Sequence, residues 1–202
     1  MSCSHFRSIR FSAHLSLFCL CLLVGCSTNS VGLTYKSTTT LVPIASSTSV
    51  SVGSFVDNRG ESATWFGAIR GGFGNPIKVL EATPSISALV QSAFSQGLRD
   101  RGFQVSSSGH HQIAGVIKKL DCDQYERREA TVEIEISIMD TATGNQLFNR
   151  TFTGHNVEGS VLALNAGIFG SVEKLRVLAE KTLSEVVDKA LDDPALQHAI
   201  LQ

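Results

Sequence analysis

Thr131-Val132-Glu133-Ile134-Glu135-Ile136-Ser137-Ile138-Met139-Asp140 alternates branched apolar residues with charged or hydroxyl residues. Period two is the signature of a strand with one face in a core and the other in water. The next residues, Asp140-Thr141-Ala142-Thr143-Gly144-Asn145, have turn composition, and Gln146–Thr153 brings the chain back as a second strand. Upstream, Phe103–Val105 and Gln112–Leu120 also read as strands, so the centre of the sequence predicts an antiparallel meander.

Two helices flank that meander. Ile86, Leu89, Val90, Ala93, Phe94 and Leu98 form one apolar stripe, with Thr83-Pro84 expected to cap its start and Gly102 to end it. A longer helix over about residues 171–191 places Leu175, Leu178, Ala179, Thr182, Leu183, Val186, Ala190 and Leu191 on one face. Asp192-Asp193-Pro194 then stops it and caps a short final turn. Ser49–Asp57 reads as a strand ending in a turn, and Ile77–Glu81 as a short extended piece. The expected fold is α+β: a mixed, mostly antiparallel sheet with two amphipathic helices packed on one face, forming a single domain over residues 49–202.

The chain has 202 residues, with 17 Lys+Arg against 18 Asp+Glu. That balance gives no basic surface of the kind that neutralises phosphates, so nucleic acid is not an expected partner. Four of the five cysteines fall within the first 26 residues, and Cys122 is left without a disulfide partner. The N-terminus carries Arg7 and Arg10, then the apolar run Phe11–Gly25, then Cys26. As a helix that run spans about 22 Å, short of the roughly 30 Å hydrocarbon layer, so a signal peptide fits better than a spanning helix.

Leu23-Val24-Gly25-Cys26 resembles the bacterial lipobox, in which the cysteine thiol receives diacylglycerol and becomes the mature N-terminus. The resemblance implies residues 1–25 as a lipoprotein signal peptide, with the membrane as a partner through the lipid on Cys26. Multiple acyl chains make such anchoring stable. Ser27 and Thr28 do not match the Asp that retains such proteins at the inner membrane, which implies the outer membrane, facing the periplasm. Cleavage removes two arginines and no acid, leaving 15 basic against 18 acidic residues, so charge does not draw the body to anionic lipid. Residues 26–48 are expected to form the lipidated N-terminus and a tether. The stretch 27–49 holds twelve Ser or Thr and the single charge of Lys36, and would reach about 26 Å if wholly flexible. Val31, Leu33 and Tyr35 nonetheless alternate as a docked strand would.

The helix closing in Arg101-Gly102-Phe103-Gln104-Val105, the charged-alternating strand, Asn156-Val157-Glu158-Gly159 and the ending Thr182–Ile200 resemble, in that order, the YajG-like family of bacterial lipoproteins. The resemblance covers residues 84–202 plus the lipobox. It implies an α/β periplasmic domain on an outer-membrane anchor and brings no enzymatic activity with it. The helix-then-strand unit is also similar to the TolB N-terminal-like topology, an analogy of fold alone.

The resemblance is poorest over residues 58–82, where Trp65-Phe66-Gly67-Ala68-Ile69-Arg70-Gly71-Gly72-Phe73-Gly74-Asn75-Pro76 stands out. Trp65, Phe66, Arg70 and Phe73 are residue types enriched at binding hot spots, and the glycines allow close backbone approach, so a partner-binding loop is one expectation. A loop whose aromatics fold onto the core is the other. The glycine spacing fits neither a phosphate loop nor a dinucleotide fingerprint. His110-His111 would point to opposite faces of a strand, which disfavours a metal site. Cys122, between Asp121 and Asp123, has its thiolate opposed by like charge and is expected to be a quiet thiol at the surface or an edge. Glu126, Glu129, Glu133 and Glu135, with Arg127 and Arg128, read as a solvated hairpin face.

No catalytic residue, metal or cofactor is assigned. The function expected is a non-enzymatic binding or structural component of the cell envelope, engaging an envelope protein or a glycan. An auxiliary subunit of an envelope transport or assembly machine comes second, and a cell-wall enzyme third.

Overall fold

The structure, a computed structural model, describes residues 27–41, 48–159 and 170–202. Its elements are β1 (Ser27–Val31), β2 (Ser49–Asp57), β3 (Trp65–Arg70), β4 (Pro76–Ala82), α1 (Ile86–Asp100), β5 (Gln104–Val105), β6 (His111–Gln124), β7 (Arg128–Asp140), β8 (Gln146–Glu158), α2 (Val172–Leu191) and α3 (Pro194–Leu201).

The expected meander is the backbone of the fold. β6 and β7 pair antiparallel from His111 opposite Asp140 to Gln124 opposite Arg128, and β7 and β8 from Arg128 opposite Glu158 to Met139 opposite Gln146. Val132, Ile134, Ile136 and Ile138 all point into the core, as their alternation requires.

On its other side β6 is shared by two branches. β2 pairs with it in parallel from Val50 opposite His111 to Asp57 opposite Ile117, with β5 beyond. Further along, β3 pairs in parallel from Gly67 opposite Cys122 to Ile69 opposite Gln124. β4 runs antiparallel to β3, and β1 parallel to β4. The result is one open, mixed eight-stranded sheet in which the antiparallel pairings carry most of the rungs.

Where β2 ends and β3 begins, β6 would face a gap, and the Arg59 side chain fills it. Its guanidinium donates to the carbonyls of Trp65 (2.6 Å) and Leu120 (3.1 Å) and grips both carboxylate oxygens of Asp57 at 2.8 and 2.7 Å. Backbone acceptors left over by the branching are thereby satisfied. Gly67 allows the second branch to form, because a Cβ there would lie 2.0 Å from the Cys122 carbonyl oxygen.

α1 packs on β2, α2 spans β6, β7 and β8, and the two helices touch. Thr83 is not the cap of α1: its hydroxyl is taken by Ser30 at 2.6 Å, and Ser85 caps the helix instead by accepting from the Ala88 N–H. The helix ends as its sequence implies. Gly102, at φ +89°, donates to Arg99, and Phe103 donates to Leu98, which is the Schellman pattern. Ser171 caps α2, and Asp193 caps α3, a true helix rather than a single turn. No described helix is long and apolar enough to cross a membrane.

At the N-terminus the described residues follow the docked-strand alternation of Val31, Leu33 and Tyr35 rather than a free tether. The described part of the presumed tether, residues 27–41, is packed on the body. β1 joins the sheet, and Leu33 enters the core at 6% exposure. The hydroxyls that suggest a linker by composition are hydrogen-bonded to α2 instead. The Thr34 N–H and hydroxyl both donate to Glu180 at 2.8 Å, and the Thr38 N–H and hydroxyl to Asp188 at 2.6 and 2.7 Å.

Candidate functional site

The aromatic and glycine-rich stretch is not a loop. Residues 65–70 form β3, whose middle four residues are buried because β4 and β6 flank it on both edges. Phe66 is a core residue with no exposed surface, and Trp65 is half-buried at the far end of the strand. Both are therefore separated from the surface on which Arg70 and Phe73 sit. Only those two of the four expected binding residues come together, at the β3–β4 turn, where Phe73 is fully exposed.

Beside that turn lies an open groove lined by Arg70, Asp123, Tyr125, Glu126, Arg127 and Glu129. Arg70 donates from Nε (3.1 Å) and Nη2 (2.8 Å) to Asp123 Oδ2, and Asp123 Oδ1 accepts from the Ala68 N–H at 2.8 Å. Arg127 pairs with Glu129. The Tyr125 hydroxyl donates to the Gly72 carbonyl at 2.9 Å, tying the β6–β7 turn to the β3–β4 turn. Two guanidiniums, of Arg70 and Arg127, are each paired with a carboxylate there, an arrangement that presents fixed hydrogen-bonding groups at the surface. Tyr125 and its turn escaped the sequence reading because their neighbour across the groove is more than fifty residues away.

A second polar cluster is buried. Arg101 and Asp188 are each 1% exposed and pair at 2.9 Å. Asp188 also accepts from the Tyr35 hydroxyl at 2.6 Å and from Thr38, while Arg101 reaches Asp192 at 2.7 Å and the Gly97 carbonyl at 3.1 Å. Burial pushes the Asp188 carboxyl up, but donors from Tyr35, Thr38 and Arg101 outweigh it and hold its pKa below the ordinary value. Burial, followed by the bond to Asp188, raises the Tyr35 phenol. The cluster pins the N-terminal segment across α1 and α2. One signal for it was visible: an aspartate inside the apolar run Val186-Val187-Asp188 of an otherwise regular stripe.

Cys122 is fully buried in β6, not at a surface or an edge, and its thiol donates to the Leu175 carbonyl at 3.4 Å. Burial first, then Asp123 and Asp121, push its pKa up to about 12, so it is not a nucleophile at neutral pH. His111, the first residue of β6, is buried, and His110, in the bend just before it, is exposed. Among the described residues no three metal-ligating side chains converge. The lipobox residues Leu23, Val24, Gly25 and Cys26 lie outside the described residues.

A protein of Xanthomonas campestris in family DUF330 shares this architecture, with a TM-score of 0.65 over 84% of this chain and 96% of that one, at 14% identity. Two lipoproteins align less closely. A minor lipoprotein of Acinetobacter baumannii has a TM-score of 0.39 (10% identity, 75% and 94% of the two chains). Lipoprotein GNA1162 of Neisseria meningitidis has a TM-score of 0.36 (8% identity, 70% and 99%). The first likeness concerns the fold alone, and the other two carry no argument about this chain. No curated protein matches the sequence significantly. A family model described as an uncharacterized lipoprotein matches residues 36–201, nearly the whole described body, and the YajG-like resemblance is consistent with it: the chain belongs to this family of bacterial lipoproteins.

Proposed function

We propose that the protein is a lipid-anchored, non-enzymatic component of the bacterial envelope, held through Cys26 in the outer membrane and facing the periplasm. The observation that carries this is the conjunction of a lipoprotein-family body with a lipobox ending one residue before β1. The groove of Arg70, Tyr125, Glu126, Arg127 and Glu129 is the surface offered to an envelope protein or glycan, because both of its arginines are fixed by carboxylates, Asp123 and Glu129, and its rim is braced by Tyr125.

Metabolic labelling with a palmitate analogue, followed by density separation of the two membranes, tests the anchor. Label is expected on the wild-type chain in the outer-membrane fraction and is lost in Cys26→Ser. Equal labelling of both chains, or wild-type protein in the inner-membrane fraction, would contradict the proposal. For the groove, a photocrosslinking residue at position 127 is expected to capture a discrete partner in intact cells, whereas the same residue at position 143 captures none.

A further inference from the structure

The registers of successive strands align one row of residues across the sheet. Ser27 lies opposite Lys78, Lys78 opposite Ile69, Ile69 opposite Gln124, Gln124 opposite Arg128, and Arg128 opposite Glu158. Everything just beyond that row lies at one end of the molecule. Among the described residues this end holds the β3–β4 turn with Phe73, the β6–β7 turn with Tyr125, the end of β8, the approach to α2 at Gly170 and the start of β1. The β7–β8 turn around Thr143 lies at the opposite end, about 40 Å away for a thirteen-residue strand.

Cys26 is joined by one peptide bond to Ser27, the first residue of the row. With no linker between them, a lipid on Cys26 holds this end of the sheet at the bilayer surface. The side chains presented there suit that position. Phe73 projects fully into solvent from a turn that Tyr125, 42% exposed, braces through its hydroxyl, and Val157 is exposed at the end of β8. Exposed aromatics on a braced turn are the side chains that settle into a headgroup layer. The three arginines at this end bring no free charge to the contact, because Arg70, Arg127 and Arg128 are paired with Asp123, Glu129 and Glu158.

We propose that this end of the sheet rests on the lipid leaflet that holds the anchor, with Phe73 and Tyr125 among the headgroups, so that the body has one fixed orientation and the polar groove opens at the membrane surface. The inference rests on lipidation of Cys26. Acylated protein in phosphatidylethanolamine–phosphatidylglycerol vesicles tests it, with Trp65→Phe as background and a single tryptophan introduced as Phe73→Trp or Thr143→Trp. Brominated lipid is expected to quench most of the emission from position 73 and none from position 143, and added salt is expected to leave the difference unchanged. The same comparison with nitroxides on Phe73→Cys and Thr143→Cys, read by lipid-soluble oxygen, keeps Trp65 in place. Cys122 is too buried to take the label. Two silent positions on protein that floats with vesicles and carries acyl mass on Cys26 would overturn the orientation while leaving the anchor standing. Protein that neither floats nor carries acyl mass overturns both.

Discussion

In the meander of β6, β7 and β8, strands of thirteen or fourteen residues run side by side, and in β7 every second side chain from Ala130 to Ile138 drops into the core under α2. In the ribbon of β3, β4 and β1, strands of five to seven residues meet β6 over only three rungs, and polar brackets complete the join. Arg59 closes the gap on β6, Gly67 permits the approach, and the Arg101–Asp188 pair ties the chain after β1 to both long helices. The meander is held by repetition and the ribbon by individual residues. Damage to the meander should therefore be spread and global, whereas damage to the ribbon should be local and chemically specific.

The largest effect is expected from Asp188→Ala, which leaves the buried Arg101 guanidinium only the part-exposed Asp192 as an ionic partner and removes the acceptor of Tyr35 and Thr38, at a cost of about 3–5 kcal/mol, read as a drop in the urea midpoint. Ile136→Ala in the meander should cost about 2–5 kcal/mol with an unchanged denaturant slope. Arg59→Met should cost about 1–3 kcal/mol, because it leaves carbonyls of Trp65 and Leu120 unpaired. In that variant, amide exchange should accelerate in β3, β4 and β1 while β7 keeps its protection. Uniform acceleration would erase the distinction between the two regions. Phe73→Ser should change stability by less than about 0.5 kcal/mol, since its ring touches solvent alone.

Acid sharpens the same contrast. Asp188 has its pKa lowered on folding, where donors from Tyr35, Thr38 and Arg101 overcome burial, and Asp57 has its pKa lowered chiefly by the Arg59 hydrogen bond. Fewer protons bind in the folded state, so both groups add stability above the unfolded carboxylate value of about 4, and that stability is lost as pH falls through their folded values. Residues 34–39 should thus begin to exchange faster below about pH 4, and Asp188→Asn should remove that dependence.

How legible each region was follows from how it is held. The run from Val132 to Ile138 announces itself because alternation is a local property, and so do the stripe from Ile86 to Leu98 and the stop at Gly102. β3 was not legible as a strand. Its Phe66, Gly67, Ala68 and Ile69 are all buried, so the period-two signal vanishes and the composition looks like that of a loop. The Ser/Thr segment suggested a tether by composition, while its alternation of Val31, Leu33 and Tyr35 pointed to docking. Its hydroxyls are matched to Glu180, Asp188 and Asp192, about 150 positions away, and composition carries no trace of such matching. Of the candidate binding residues, Arg70 and Phe73 were reachable from residue type, but Tyr125 and the groove exist only through the pairing of β3 with β6.

β8 ends the sheet, and among the described residues no further strand lies alongside it. Such a rim invites a neighbouring copy to continue the ladder, a hazard that grows when molecules are confined to two dimensions at high density. Here the rim is guarded: Lys189 reaches over to the Thr153 carbonyl, and Arg150 lies across Phe148 while gripping Asp193. A copy pairing there would first have to displace Lys189 from the Thr153 carbonyl, which opposes the zipping of crowded molecules into fibres.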